Sequence, residues 1–231
     1  MGRIFYDLHI NPEEEVNRFI RRAEELGLGG ICMVEDNFEN IDNYLEKLKK
    51  LKENTKIDLI TGFLINNENI EKIAKKIRRK FDLIFVSGGD YTVNRNACSS
   101  GYVDILCHPE KNRKDCGVDH ICCKDAKENN VVIEVNFGEL LRLEGLQKIK
   151  ELNKLKEIVR ICVKTKTNFI VNSGAKYIYE MRGGRELSSL SYSLGASLYE
   201  AIVANSELPM KIVSINREKK NNILNGMKYD G

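Results

Sequence analysis

Three groups of residues in this 231-residue chain have types and spacings that suit chemistry. The first gathers carboxylates and imidazoles: Asp7 and His9 near the start, then Glu35, His108 and one of Glu134 or Asp104. Asp7, His9, Glu35 and His108 are the ligand set for a metal ion, if one is held. The plainer reading is a set of polar groups that hydrogen-bond one another. The second group lies in residues 103–120, where an apolar stretch runs into a basic turn with Lys111, Arg113 and Lys114, then Asp119 and His120. Exposed lysine and arginine suit phosphate contact, and a guanidinium offers two parallel donors. A solvated loop has the same composition. The third group lies in residues 172–186, where Arg182 and Arg185 flank Gly183 and Gly184. The glycines let backbone approach a ligand while both guanidinium groups face it. A capping turn for the next helix is the alternative.

The elements that must position these groups alternate along the whole chain. Short β-branched runs predict strands at 3–8, 30–34, 57–65, 83–86, 103–107, 131–135 and 168–171, with amphipathic helical stretches between them. In the first helix Asn11 is the expected cap and Pro12 suits the first turn. Val16, Phe19, Ile20, Ala23 and Leu26 form the apolar stripe, and Gly27 ends it. A helix over 68–80 carries Lys72, Lys75, Lys76, Arg78, Arg79 and Lys80 outside its apolar stripe, which reads as a solvated face. Repeated strand–helix units predict right-handed crossovers and a parallel sheet. Their number favours a closed α/β architecture, a single-domain TIM-like (β/α) barrel of seven or eight parallel strands over residues 1–215. Residues 216–231 read as a polar, lysine-rich tail, loose on its own. In such a barrel functional groups collect at the carboxyl ends of strands, where Asp7, Glu35, His108, Glu134 and Asn172 all fall.

Composition narrows the function classes. No run is long and apolar enough to span a membrane, and the first residues lack the pattern of a signal peptide, so a soluble, cytoplasmic protein with no membrane partner is expected. No glycine-rich dinucleotide fingerprint follows the first strand. The seven cysteines form no C-x-x-C pair; Cys116 with His120 is the nearest approach to a zinc spacing, and buried free thiols are the expected state. The net charge of +3 does not by itself announce nucleic acid.

Two resemblances add to this reading. Asp7-Leu8-His9-Ile10-Asn11 resembles the opening D-x-H-x-H of the polymerase-and-histidinol-phosphatase barrels, which hold two or three metal ions; here Asn11 replaces the second histidine and is a poor ligand for a transition metal. A metal-dependent phosphoesterase of that barrel type is the alternative function. More specific is the order of Phe5-Tyr6-Asp7, then Val-Asp-Ile-Leu-Cys-His-Pro with Asn-Arg-Lys-Asp-Cys-Gly-Val-Asp-His, then Ser-Gly-Ala and Glu-Met-Arg-Gly-Gly-Arg-Glu-Leu. From Arg3 to about Arg217 the chain resembles the ribonuclease P protein component 3 family. The resemblance implies a TIM-like barrel and a subunit of the ribonucleoprotein that removes the 5′ leader from precursor tRNA. It implies a non-catalytic subunit beside ribonuclease P RNA, with protein component 2 and other protein subunits as partners. The protein itself would bind no cofactor, and magnesium would sit on the catalytic RNA. RNA-contact or assembly roles fall to Lys111, Arg113, Lys114, His120, Arg182 and Arg185. With so modest a net charge, salt-sensitive binding of micromolar affinity at best is expected for the isolated chain.

Overall fold

The computed structural model describes residues 2–66 and 69–224. Strand and helix alternate as β1 (Phe5–Ile10), α1 (Val16–Glu25), β2 (Leu28–Glu35), α2 (Ile41–Lys52), β3 (Asp58–Ile65), α3 (Ile70–Ile77), β4 (Leu83–Ser87) and α4 (Tyr91–Cys98). There follow β5 (Ile105–Cys107), α5 (His120–Glu128), β6 (Val132–Asn136), α6 (Phe137–Arg142), α7 (Gly145–Thr165), β7 (Phe169–Asn172), α8 (Gly184–Ser193), α9 (Leu198–Val203) and α10 (Glu207–Leu224). The seven strands form one sheet in chain order, each parallel to the next.

The sheet curls until its edges meet, giving a nearly closed barrel. At the carboxyl end of the strands Ile10 bridges Ala175, and the Leu8 N–H donates to Asn172 Oδ1 at 2.9 Å. Lower down, where an eighth strand would sit, Asn205 does its work. Its carbonyl accepts the Tyr6 N–H at 2.8 Å, and its side-chain amide donates to the Val171 carbonyl. One asparagine in a turn thus satisfies edge groups on both flanking strands, which burial would otherwise leave costly.

Side-chain alternation sorts two apolar layers. Leu8, Cys32, Val34, Ile60, Leu83, Phe85, Ile105, Cys107, Val132 and Ile170 pack together with Val213 of α10 as one cluster. The opposite set packs against the helices, as with Phe63, Ile84, Leu106, Ile133 and Val171. Each fully buried Leu, Ile or Phe contributes about 1.5–3 kcal/mol. All seven cysteines are buried and free, as expected.

Three local expectations change. Helix α1 starts at Val16, with Glu15 at its cap, because the Asn11 and Glu13 N–H groups are already paired with the Ala175 and Lys176 carbonyls at 3.0 and 2.9 Å. Sheet closure therefore claims the segment that local signals assign to a helix start. The boundary expected after residue 215 falls inside α10. The Asn216 amide donates to Asp104 Oδ1 at 2.8 Å, and Arg217 donates to Asp58 Oδ2 at 2.9 Å, so the helix is held against the amino-terminal ends of the strands. Residues 225–231 of the expected tail, and Glu68 of the expected third helix, lie outside the described residues. Finally, Arg78 is not on a solvated face: it turns beneath the barrel to pair with Asp104 and donates to the Asp82 carbonyl at 2.6 Å.

Candidate functional site at the barrel mouth

Four strands deliver a buried polar network to the carboxyl end of the barrel. The β1–β2 register shifts between Asp7 and Ile10. At this irregularity His9 lies over the Phe85 ring, with centroids 5.2 Å apart. The His9 Nδ1 contacts Glu134 Oε1 at 2.8 Å. Asn172 from β7 donates to the same oxygen at 2.7 Å, and Asn136 donates to Glu134 Oε2 at 3.3 Å. From β5 come Cys107, whose thiol donates to the Val86 carbonyl at 3.2 Å, and His108, whose ring centroid is 5.7 Å from that of His9. His108 holds φ +50, a left-handed conformation that a residue with a Cβ adopts only under constraint.

Burial and charge set the protonation of this network. Burial pushes the Glu134 carboxyl up, but the His9 charge and hydrogen bond, with His108 and Asn172, outweigh it and hold the group at about 2. His9 is the counterpart: burial opposes its charged form, and Glu134 more than compensates, so its pKa rises. His108 is lowered, first by burial, with the neighbouring His9 charge adding to it. Asp7 is pushed up to about 6 by complete burial, although Ser173 and His9 hydrogen-bond to it. Its Oδ1 accepts the Ser173 N–H at 3.1 Å, while its Oδ2 is buried without a partner.

The four residues expected as metal ligands are not brought together as a set. His9 and His108 meet. Glu35 turns back on its own loop, accepting the Asp36 and Asn37 N–H groups at 3.0 and 2.9 Å and the Asn40 amide at 2.9 Å. Asp7 is taken by Ser173 and the His9 N–H, and Asn11 is occupied in sheet closure through its backbone. The residues therefore do not fit a two- or three-ion centre. Glu134, weighed in the sequence as one option, is the centre of the network, and Asp104 lies at the opposite end of the barrel with Arg78 and Asn216.

Lys111 and Lys114 are exposed on the loop that follows β5, as is His120 at the start of α5. Arg185 is exposed in the first turn of α8, next to Gly184, which packs on Phe5 at the amino-terminal end of β1. Arg113 is only partly exposed and is gripped by Asp115, with Nε–Oδ1 at 2.6 Å and Nη2–Oδ2 at 2.9 Å. Arg182 donates to the Tyr179 and Met181 carbonyls at 2.8 and 2.9 Å and lies over the Phe137 ring at 5.3 Å. Both arginines shape their loops. The Gly183–Gly184 pair is likewise explained from inside: a Cβ at Gly184 would collide with Phe5, and the Gly183 N–H is capped by Glu186 Oε2 at 2.8 Å.

Two positioning residues carry no motif in the sequence. Buried Asn94 on α4 donates to the Pro109 and Gly117 carbonyls at 2.9 and 2.7 Å and accepts the Gly89 N–H at 3.1 Å, pinning the 108–117 loop. Arg142 on α6 holds Glu180 through two contacts, at 3.2 and 2.8 Å, and the Gly174 carbonyl at 2.6 Å, pinning the loop after β7. Asn94 offered a faint signal, a polar residue on a helix face otherwise buried. For Arg142 there was none. At the same rim Tyr177 and Tyr179 stack with centroids 5.5 Å apart and planes 3° apart, and Tyr179 is 70% exposed.

A nearly closed (β/α) barrel with a histidine–carboxylate–amide network inside its mouth and basic loops around it defines the class of protein. The chain belongs to the RNase P subunit p30 family, whose model matches residues 4–221. It is 31% identical over 209 residues to ribonuclease P protein component 3 of Methanococcus maripaludis, covering 89% of this chain and 90% of that one. A chain of a cryo-EM structure of archaeal ribonuclease P with mature tRNA superposes with a TM-score of 0.81 at 27% identity, covering 91% of each. A TatD-family hydrolase of Entamoeba histolytica shares the fold alone, with a TM-score of 0.52 at 14% identity over 92% of this chain and 98% of that chain.

Proposed function

We propose that this chain works in the cytoplasm as protein component 3 of a ribonuclease P particle that removes the 5′ leader from precursor tRNA. Cleavage takes place on the RNA with its magnesium ions, and the protein supports that RNA together with protein component 2 and the other protein subunits. The observation that carries the reading is the match along nine-tenths of both chains to a chain of archaeal ribonuclease P with tRNA. The rim supports it. Lys111, Lys114 and His120 are exposed at the barrel mouth and Arg185 is exposed at the start of α8, and their ammonium, imidazole and guanidinium groups suit phosphate. The open face of Tyr179 suits an unstacked base. Arg113 and Arg182 serve mainly to hold the two loops in the shape that presents these groups.

Precursor-tRNA cleavage at low magnesium tests this in three samples: the chain alone, the catalytic RNA alone, and the RNA with this chain and component 2. Cleavage confined to the full mixture is expected. Cleavage by the chain alone, abolished by a chelator, would overturn the reading in favour of a phosphoesterase. In the full mixture, replacing Lys111, Lys114 and Arg185 together by alanine is expected to lower activity about tenfold or more without moving the melting temperature of the chain, since each exposed phosphate contact contributes through released counterions.

A further inference from the structure

The barrel mouth brings together a donor set that no linear motif contains. One ligand atom from each of His9, Cys107, His108 and Glu134 lies within 4.8 Å of all the others. These residues come from β1, from the end of β5 and from β6, on different sides of the barrel. A tetrahedral zinc ion with ordinary bond lengths places its ligand atoms roughly 3.3–3.8 Å apart. Side-chain rotations of about 1 Å would therefore close the set around one ion.

The donor types choose the metal. Two imidazoles, one thiol and one carboxylate suit zinc or cobalt, whereas magnesium and calcium call for oxygen ligands. The surroundings also have the form of a metal site's outer shell. Asn172 and Asn136 both donate to the Glu134 carboxylate and fix its plane. Glu139 lies 3.7 Å from the His108 Nδ1, an ion-pair distance. Two donors, Cys107 and His108, stand in consecutive positions where the three-residue strand β5 ends, and the second takes a left-handed backbone. Next to the set, Asp7 Oδ2 is a buried anion-forming oxygen with no partner, on a residue whose Oδ1 accepts the His9 N–H.

We propose that the mouth of this barrel binds one zinc-class divalent ion through His9, Cys107, His108 and Glu134, as a structural clasp that ties β1 to β5 and β6 across the interior. Four protein ligands fill a tetrahedral shell and leave no open position for a reacting water, so the clasp is structural. On binding, the Cys107 S–H bond gives its proton to solvent and a sulfur–metal bond replaces it, with loss of the hydrogen bond to the Val86 carbonyl. His9 binds as the neutral ring, any second proton it shares with Glu134 also leaving to solvent. No electron is transferred. The set differs from the one expected from sequence: Cys107 and Glu134 take the places of Asp7 and Glu35.

Cobalt is the probe. The metal-free full chain, titrated with Co²⁺, is expected to saturate at one equivalent. A thiolate-to-cobalt absorption should appear in the near ultraviolet with the intense visible bands of a tetrahedral site, and zinc should bleach both. X-ray absorption on the zinc-loaded wild-type chain should find a single sulfur among nitrogen and oxygen donors. Cys107→Ala should remove the near-ultraviolet band, and His108→Ala should weaken binding at least tenfold. Cys116→Ala should leave the spectrum unchanged, since Cys116 is buried elsewhere, its thiol donating to the Val118 carbonyl at 3.2 Å. Sub-stoichiometric binding, a spectrum without the thiolate band, two sulfurs at the metal, or loss of binding in Cys116→Ala would each overturn the proposal. If Cys107→Ala fails to fold, the wild-type sulfur count and the Cys116→Ala spectrum still decide it. None of these readouts uses precursor tRNA, so the clasp and the ribonuclease P reading stand or fall separately.

Discussion

At the floor of the barrel Asp58, Asp82 and Asp104 meet Arg78, Arg217 and Lys220, whereas at its mouth Asp7 and Glu134 meet imidazoles, amides, Ser173 and backbone N–H groups. Arg217 donates to Asp58 Oδ2 at 2.9 Å and to Asp82 Oδ2 at 3.3 Å, and Lys220 donates to the Lys80 carbonyl at 3.0 Å. The floor acids also accept backbone donors directly: Asp104 takes the Ile84 N–H at 2.6 Å and Asp82 takes the Thr61 N–H at 3.2 Å. Permanent cations thus neutralise each floor acid at the edge of solvent, and α10 is held in place. Among the described residues no such cation lies inside the mouth, and its balance of charge rests on whether His9 carries a proton. Acids at the two ends of one barrel thus have different roles. Acids answered by arginine hold the fold together, while acids answered by histidine, cysteine and amides are placed as ligands are.

The sharpest way to break this comparison is at the floor. Arg78→Ala removes the partner of a buried Asp104 and the donor to two carbonyls, and is expected to cost about 3 kcal/mol in urea unfolding. At the mouth, Glu134→Gln keeps the shape but removes the charge beside His9 and turns one acceptor oxygen into a donor facing Asn136 or Asn172. A loss of about 2 kcal/mol is expected by the same measurement. A Glu134→Gln loss exceeding that of Arg78→Ala would reverse the assignment of strength to the floor.

Arg142→Ala should cost less, about 1–2 kcal/mol, because its pair with Glu180 is only part-buried. A double-mutant cycle with Glu180→Gln should show coupling, and limited proteolysis should cut the loop after β7 sooner. The smallest effect is acid sensitivity of the floor. Burial would raise the Asp82 carboxyl, but the Arg217 charge, the Thr61 N–H and Lys220 win and lower it below its ordinary value of 3.8. Such an acid adds stability that is complete above 3.8 and lost as pH falls through the depressed folded value. Urea midpoints followed downward from pH 5 should therefore drop less steeply in Arg217→Met than in wild type, about the parent value of each at neutral pH.

Much of the architecture was legible because hydrophobic periodicity is a local property. The alternation of β-branched runs with amphipathic helices fixed seven strands in order, and parallel crossovers then dictated the barrel. The start of α1 was misplaced because Asn11 and Pro12 carry helix-start signals, yet their segment is needed to close the sheet against Ala175 and Lys176. The barrel is expected to end at residue 215, inside α10, because the floor-facing Asn216 and Arg217 are polar, which in sequence alone reads as a tail.

The candidate site divides the same way. Asp7, His9, His108 and Glu134 were visible as polar residues at strand ends, since a barrel sends those positions to its mouth. By itself the sequence determined the family motifs, the order of strands and the end of the barrel where chemistry-bearing groups collect. Only the tertiary structure decided which of them touch. Side-chain direction depends on one-residue shifts, such as the irregularity after Asp7 that accompanies the placing of His9 over Phe85. Contacts between β1, β5 and β6 join residues up to 125 positions apart, a separation at which no spacing rule operates. The same distance dependence explains why Glu35 was expected at the site and Cys107 was not: a carboxylate is conspicuous in sequence, but its loop offered Glu35 three nearer donors.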